Sequence, residues 1–279
     1  MGKLKKVKHL LQVLVSVTKE EQKIPIVSRV EKKDLLKDKI ALVTGGSGGI
    51  GGAIVKKLVA SGCTVVIAGI NEEKLKQSIK ENGASQYIVM NMNNVSEFDD
   101  KIANVAQIYG KIDILVHTAG IHTKRDNLDF LNITEDEYDR VMDVNLKGTY
   151  FTCQSVGKYM ANNNIKGHIC VISSQSALEP SWSPYRLSKF GISGLTKGIA
   201  QKLLPYGIIV NSVAPGPTAT TMQDMGVNGS IYTSDSPIGR YAMPDEIAEY
   251  VLMLVSGVGD MVVGETLYIS GGRGITDVR

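Results

Sequence analysis

No apolar run in this sequence approaches the roughly 20 residues that a membrane-spanning helix needs. The run nearest the start, Leu10–Val17, is short, is interrupted by Gln12 and Ser16, and precedes no A-x-A-like site, which argues against a cleaved leader. Cysteine is scarce. Cys63, Cys153 and Cys170 are odd in number, lie in or beside apolar runs and lack C-x-x-C spacing, so neither a disulfide framework nor a zinc site is indicated. They read as reduced, buried thiols of a cytoplasmic protein. No His/Cys/carboxylate cluster suggests a metal, and no Ser/His/Asp arrangement suggests a hydrolase. Aromatics are few and the basic N-terminal segment holds none, which speaks against nucleic-acid binding. Nor is there a Pro/Ser/Gly-rich linker or a fixed-period repeat to divide the chain.

What is present is enough apolar sequence, 43% of 279 residues, to bury the core of one large α/β domain. The formal charge of +3 is unevenly spread, about +6 over residues 1–37 and about −3 over the rest. In MGKLKKVKHLLQVLVSV, Leu4, Val7, Leu11 and Leu14 fall on one helix face with Lys3, Lys5, Lys6 and Lys8 around it. Residues 1–36 are therefore expected to form a basic extension that packs on its own domain or on a partner subunit, with peripheral membrane contact as the other use of such a helix. The domain proper is expected over 37–279.

From Lys39 onward, short β-branched runs alternate with amphipathic stretches. The runs are IALVT (Ile40–Thr44), TVVIAG (Thr64–Gly69), QYIVMN (Gln86–Asn91), IDILVHT (Ile112–Thr118), HICVISS (His168–Ser174), IIVNSVA (Ile208–Ala214) and ETLYIS (Glu265–Ser270). Strands separated by helices predict a single-domain, doubly wound, Rossmann-type parallel sheet of about seven strands with helices on both faces.

Directly after the first run comes TGGSGGIGGAIVKKLVASG, Thr44 to Gly62. A glycine-rich strand-to-helix turn lets backbone N–H groups approach a phosphate, and the helix dipole favours the anion there. Glycines alone also permit a ligand-free tight turn, so the position after the first strand of an alternating chain is what points to a dinucleotide. Later, SPYRLSKFG (Ser183–Gly191) sets Tyr185 and Lys189 four residues apart at the start of a helix, on one face. A cation beside a phenol favours the phenolate, as an acid–base catalyst requires.

Thr44, Gly45, Gly49 and Gly51 in the T-G-x-x-x-G-x-G turn, followed by Tyr185-x3-Lys189, resemble the short-chain dehydrogenase/reductase family. VNLKGTYF (Val144–Phe151), ISS (Ile172–Ser174), NSVAPGPTATTM (Asn211–Met222) and IGRYAMPDEIA (Ile238–Ala248) follow in the family's order, so the likeness covers 39–272. The resemblance implies that Tyr185 is the general acid–base, that Lys189 lowers the phenol's pKa and holds the nicotinamide ribose, that Asn145 holds a water in a proton relay, and that Ser174 orients the substrate oxygen. The serine usually precedes the tyrosine by about thirteen positions; Ser174 precedes it by eleven, and the shortened loop leaves Ser176 as an alternative. For the cofactor the resemblance implies contacts from Gly45, Ser47, Gly49, Ile50, Gly51, Ile70, Asn91, Met92, Ala119 and Gly120, from Tyr185 and Lys189, and from Pro215, Gly216, Thr218 and Thr220.

Several positions depart from the family pattern. Gly69 and Ile70 stand where an acid would bind the adenosine ribose of NAD or a base the 2′-phosphate of NADP, and Gly48 replaces the basic residue of NADP-type turns. With no cation at either place NAD(H) is favoured over NADP(H), although Lys74, one turn on, would suit the phosphate. Asn91 stands in place of an adenine-binding aspartate. His117-Thr118-Ala119-Gly120 replaces Asn-Asn-Ala-Gly, which puts in doubt the side-chain ties between those strands. His117, between apolar neighbours, reads as a satisfied core histidine, and His122 as a pocket candidate. MQDMGVNGSIYTSDSP, after the sixth strand, is expected to form a lid, with Met222 and Met225 in it or in the core. Gly191, Gly194 and Gly198 allow close helix approach, and the family resemblance implies a homo-oligomer, a tetramer or dimer.

The reading is an NAD(P)-dependent oxidoreductase that interconverts a secondary alcohol and a ketone on a small molecule. The alternatives are a nucleotide-sugar epimerase or dehydratase using the same Tyr/Lys pair, and a dinucleotide-sensing protein without turnover.

Overall fold

The computed structural model describes residues 34–123, 129–220 and 231–274. The basic extension over 1–33, and Met222 and Met225 of the expected lid, lie outside the described residues.

The strands are β1 (Ile40–Thr44), β2 (Thr64–Gly69), β3 (Gln86–Val89), β4 (Ile114–His117), β5 (His168–Ile172), β6 (Ile209–Pro215) and β7 (Thr266–Ile269). They form one parallel sheet in the order β3-β2-β1-β4-β5-β6-β7. Between them run α1 (Gly49–Ala60), α2 (Glu72–Asn82), α3 (Phe98–Tyr109), α4 (Glu135–Met142), α5 (Gly148–Asn162), α6 (Pro184–Leu203) and α7 (Pro244–Leu254). Period-two alternation divides the core between the two faces of the sheet. Val43, Ile67 and Val116 pack with Ile54 and Leu58 of α1 and Ile247 and Val251 of α7, and Leu36, from before β1, is buried in the same layer. On the opposite face Leu42, Val66, Leu115 and Val171 meet Ile102 of α3, Val156 of α5 and Ile192 of α6.

The chain runs outward from β1 to β3, then returns to place β4 on the other side of β1. That reversal opens a crevice at the carboxyl ends of β1 and β4, where ligands of doubly wound sheets bind. Some strands end sooner than their apolar runs suggest. β3 stops two residues before Asn91 and β5 at Ile172, because the following residues turn to serve the crevice.

Candidate active site

The turn between β1 and α1 is built around two glycines. Gly45 has φ +68°, a left-handed conformation, and a Cβ there would lie 2.6 Å from Thr118 Oγ1. A Cβ on Gly51 would lie 2.1 Å from the Gly45 carbonyl oxygen, so α1 approaches the turn as closely as it does only with glycine there. Gly48 precedes α1 without a side-chain cap, and the first turn of the helix holds no acid. Its N-terminal N–H groups and positive dipole end are thus left for an anion.

This helix end opens on a cleft of about 700 Å³. Gly45, Ser47, Gly49, Ile50 and Gly51 line it from the turn, Ile70, Asn91 and Met92 from beyond β2 and β3, and Ala119 and Gly120 from beyond β4. Volume, glycine cradle and uncapped helix end fit a dinucleotide, whose pyrophosphate the N-terminus of α1 would hold. At the far end Asn71 caps α2 by accepting from the Lys74 N–H at 2.9 Å, and both residues line the cleft. No Asp or Glu lines it among the described residues.

A second cavity of about 270 Å³ adjoins the cleft and shares Ile50, Thr118, Gly120, Ile121, Ile172 and Thr220 with it. Ser174, Tyr185 and Lys189 line this cavity, with Pro215, Gly216 and Thr218 opposite. Thr218 turns its hydroxyl to the Gly216 carbonyl, 2.9 Å away. Ser183 caps α6, accepting from the Arg186 N–H, and Pro184 follows at the first helical position, so Tyr185 is held in the opening turn with Lys189 one turn later. Of the two candidate serines, Ser174 is the one whose hydroxyl meets the Tyr185 phenol. Ser174 also accepts from the Ser176 N–H at 3.1 Å, while Ser173 donates to the Lys189 carbonyl at 3.1 Å.

Lys189 is buried, its ammonium 3.0 Å from the Ile172 carbonyl and 5.7 Å from the Tyr185 ring centroid. Burial lowers its pKa to about 8. The Tyr185 phenol departs from the expectation of a lowered pKa: burial, aided by the charge of Glu179, raises it above its ordinary value despite the Ser174 hydrogen bond. Desolvation of the phenolate is the largest of these effects.

Asn145 does not line either cavity. It is fully buried behind them in a π-bulge, Asp143–Lys147, that joins α4 to α5. Its carboxamide accepts from the Ile121 N–H at 2.8 Å and donates to the Ile121 carbonyl at 2.9 Å, which clips the segment after β4 to the helix pair. A Cβ on Gly120 would lie 3.3 Å from Asn145 Oδ1 and 3.7 Å from Lys189 Nζ, so the asparagine and lysine flank the same glycine.

The altered motif after β4 retains its ties by other means. Thr118 donates to the Thr44 carbonyl at 2.7 Å, and the Thr44 hydroxyl lies 3.0 Å from His117 Nδ1. His117 is a core residue but not a satisfied one: Nε2 is buried without a partner among the described residues. Burial and, second, the Lys189 charge lower its pKa to about 3, which keeps the ring neutral. His122 stacks on Tyr185 with ring centroids 4.2 Å apart, and its Nδ1–H donates to the Thr123 carbonyl at 2.9 Å.

Sequence reasoning missed one set of residues in this cavity: Gln175, Glu179, Arg186 and Arg273. They come from three separate segments and share no motif, so only the folded chain brings them together. It also missed the π-bulge, which has no sequence signature.

A doubly wound sheet with a glycine-turn cleft and an adjoining Ser/Tyr/Lys cavity defines a dinucleotide-dependent oxidoreductase. A family model described as enoyl-(acyl carrier protein) reductase matches residues 45–273. The chain is 36% identical over 244 residues to a 3-oxoacyl-[acyl-carrier-protein] reductase of Rickettsia bellii, covering 85% of this chain and 97% of that one. A short-chain dehydrogenase of Burkholderia cenocepacia solved with NADP superposes with a TM-score of 0.76 at 32% identity, over 85% of this chain and 98% of that one. An actinorhodin polyketide ketoreductase with NADPH gives the same TM-score at 29% identity, also over 85% and 98%. The chain belongs to the short-chain dehydrogenase/reductase family and is an NAD(P)-dependent oxidoreductase.

Proposed function

We propose that the protein interconverts a secondary alcohol and a ketone, with Tyr185 as the general acid–base. The observation that carries this reading is the convergence of Ser174, Tyr185 and Lys189 in a cavity continuous with the dinucleotide cleft. A nicotinamide cofactor held in the cleft would supply or accept the hydride. In the reducing direction Ser174 holds the carbonyl oxygen by its hydroxyl, and the Tyr185 O–H donates its proton to that oxygen as negative charge develops. Lys189 places its positive charge beside the phenol and stabilises the phenolate left behind. Asn145 fixes the backbone at Ile121 and, by its position beside Lys189, serves the return of a proton to Tyr185. The 3-oxoacyl group named in the Rickettsia relative is one ketone of this class. The reading is tested by following NADPH and NADH oxidation with a panel of ketones; dinucleotide binding without turnover of any of them would reduce the protein to a sensor.

For the coenzyme the expected lean to NAD(H) is reversed, and NADP(H) is the proposed partner. The NADP and NADPH bound by the two solved relatives support this. So does the adenosine end of the cleft, which Lys74 and Asn71 line, while Glu72 and Glu73 in the first turn of α2 are not among the lining residues. Lys74→Ala is expected to weaken NADPH binding about tenfold and leave NADH unchanged, as loss of one charge-assisted contact implies. Equal effects on both, read by nicotinamide fluorescence, would remove Lys74 from the site.

Self-association belongs to the same proposal. A Cβ on Gly191 would meet Leu146 at 3.1 Å, whereas Gly194 and Gly198 face open space on the side of α6 that exposes Phe190. Light scattering of Gly198→Arg should give a smaller particle than the unaltered protein; identical masses would place the interface elsewhere. None of the described helices is long and apolar enough to cross a membrane.

A further inference from the structure

Three charged residues in the catalytic cavity take no part in proton transfer. Glu179 follows β5, Arg186 adjoins Tyr185 on α6, and Arg273 follows β7. The Glu179 carboxylate is shared: Oε1 accepts from Gln175 Nε2 at 2.8 Å and from Arg273 Nε at 3.0 Å, while Oε2 lies 3.0 Å from Arg186 Nη2. Each arginine is also tied to backbone, Arg186 to the Pro180 carbonyl at 3.3 Å and Arg273 to the Asp235 carbonyl at 3.2 Å. Arg186 lies over the Trp182 ring, 5.3 Å from its centroid. Both guanidinium groups are thus held in place before any substrate arrives, with side chains 27% and 28% exposed.

Two cations share one anion, and Glu179 is the only carboxylate among the described residues of the cavity lining. Among the described residues the surplus of this cluster is one positive charge, separate from that of Lys189 beside the phenol; it is partly withdrawn from water, and such a charge is costly to hold unless a counter-charge completes it. Arg186 Nε and Arg273 Nη2 make no hydrogen bond to the described residues, so donors remain for an incoming oxyanion. The cluster is also close enough to the reacting atoms for the Glu179 charge to act on the Tyr185 phenol.

We infer that the substrate is a monoanion, an oxo or hydroxy carboxylic acid whose carboxylate is held by Arg186 and Arg273 while its carbonyl or hydroxyl meets Ser174 and Tyr185. This rests on the oxidoreductase reading of the same cavity. With Lys189 committed to the phenol, the cluster's own surplus of one charge matches a carboxylate, whose two oxygens suit the planar guanidinium fork.

The test compares acetoacetate and 4-oxopentanoate with their methyl esters and with the neutral acetoacetyl thioester of N-acetylcysteamine. The acids should show kcat/KM about 30-fold above the neutral compounds, the scale of one or two charge-assisted hydrogen bonds. Arg273→Met should collapse that ratio toward one, through a rise in KM of the acids larger than any change for the esters. Glu179→Gln should lower KM for the acids, a direction that loss of structure does not produce. Turnover of esters and thioester as fast as acids would overturn the inference and leave the oxidoreductase standing. A second arm titrates the NADP⁺-loaded protein with butanoate and with butanamide, by calorimetry. Arg273-dependent binding of butanoate alone, in a protein that reduces no ketone, would retain the carboxylate site and discard the reaction; absence of butanoate binding would discard the site.

Discussion

Tyr185→Phe is expected to lower kcat about 10³-fold, within the range for loss of a general acid–base, while the dissociation constant for NADPH stays the same. The substitution removes one oxygen and keeps the ring that stacks on His122, so the cavity wall and the adjoining cleft are retained. On the proposed mechanism, what is lost is the proton for the developing alkoxide. The raised phenol pKa gives the unaltered enzyme a directional pH dependence. A phenol that stays protonated through neutral pH is ready to donate, so reduction holds its rate there. Alcohol oxidation needs the phenolate, so its rate climbs as pH rises toward the phenol's pKa. In the phenylalanine variant that climb should vanish. A variant that keeps both the rate and the climb would assign the proton to another group, with His122 the nearest.

Lys189→Met should separate catalysis from stability. Activity is expected to fall about 10²- to 10³-fold, as for loss of one preorganised electrostatic stabiliser. Stability moves the other way at neutral pH. The lysine titrates near 8 in the folded protein and near 10.4 when unfolded, so between those values the unfolded chain binds more protons and stability rises with pH. For this one group the rise amounts to about 3 kcal/mol. Below pH 8 the folded protein carries the full cost of the buried charge; above pH 10.4 it carries none. The methionine variant lacks that cost and leaves the Ile172 carbonyl without its partner, a loss of about 1 kcal/mol. It should therefore unfold at higher urea than the parent at pH 7, and this advantage should disappear by about pH 10.4. Parallel stability–pH curves for the two proteins, both without nucleotide, would show that the lysine is not held in a desolvating site.

Much of this was legible in the sequence because the fold writes itself in short-range patterns. β1 and β2 begin and end where IALVT and TVVIAG do, since β-branched runs bounded by glycine or polar residues leave little choice of register. The residues expected to hold the cofactor and the Ser/Tyr/Lys set were picked out by co-linear motifs, and all of them line the two cavities. The behaviour of those residues was less legible. A helical spacing of four places a lysine near a tyrosine, but the sign of the pKa change depends on burial, and burial is decided by elements more than 100 residues apart. Replacement of the paired asparagines by His117 and Thr118 left the ties between strands open until Thr44 was seen to serve both. The Glu179 cluster required contacts over 94 positions, from Glu179 to Arg273, which no local pattern encodes.

The reversal of strand order between β3 and β4 has a consequence for how such a protein can change. Apart from Ile50, residues on the cavity side lie at Thr118 or later, whereas the glycine turn and the adenosine end of the cleft are drawn from residues up to Asn93. The two recognition tasks are thus carried by successive stretches of chain that meet at one crevice. Substitutions before β4 can retune the adenosine end of the cleft without touching most of the cavity, whereas the stretch after β4 lines both spaces, so a change of substrate there must spare Ala119, Gly120, Ile172 and Thr220. The sheet acts as a common chassis whose first half is the more freely adjustable.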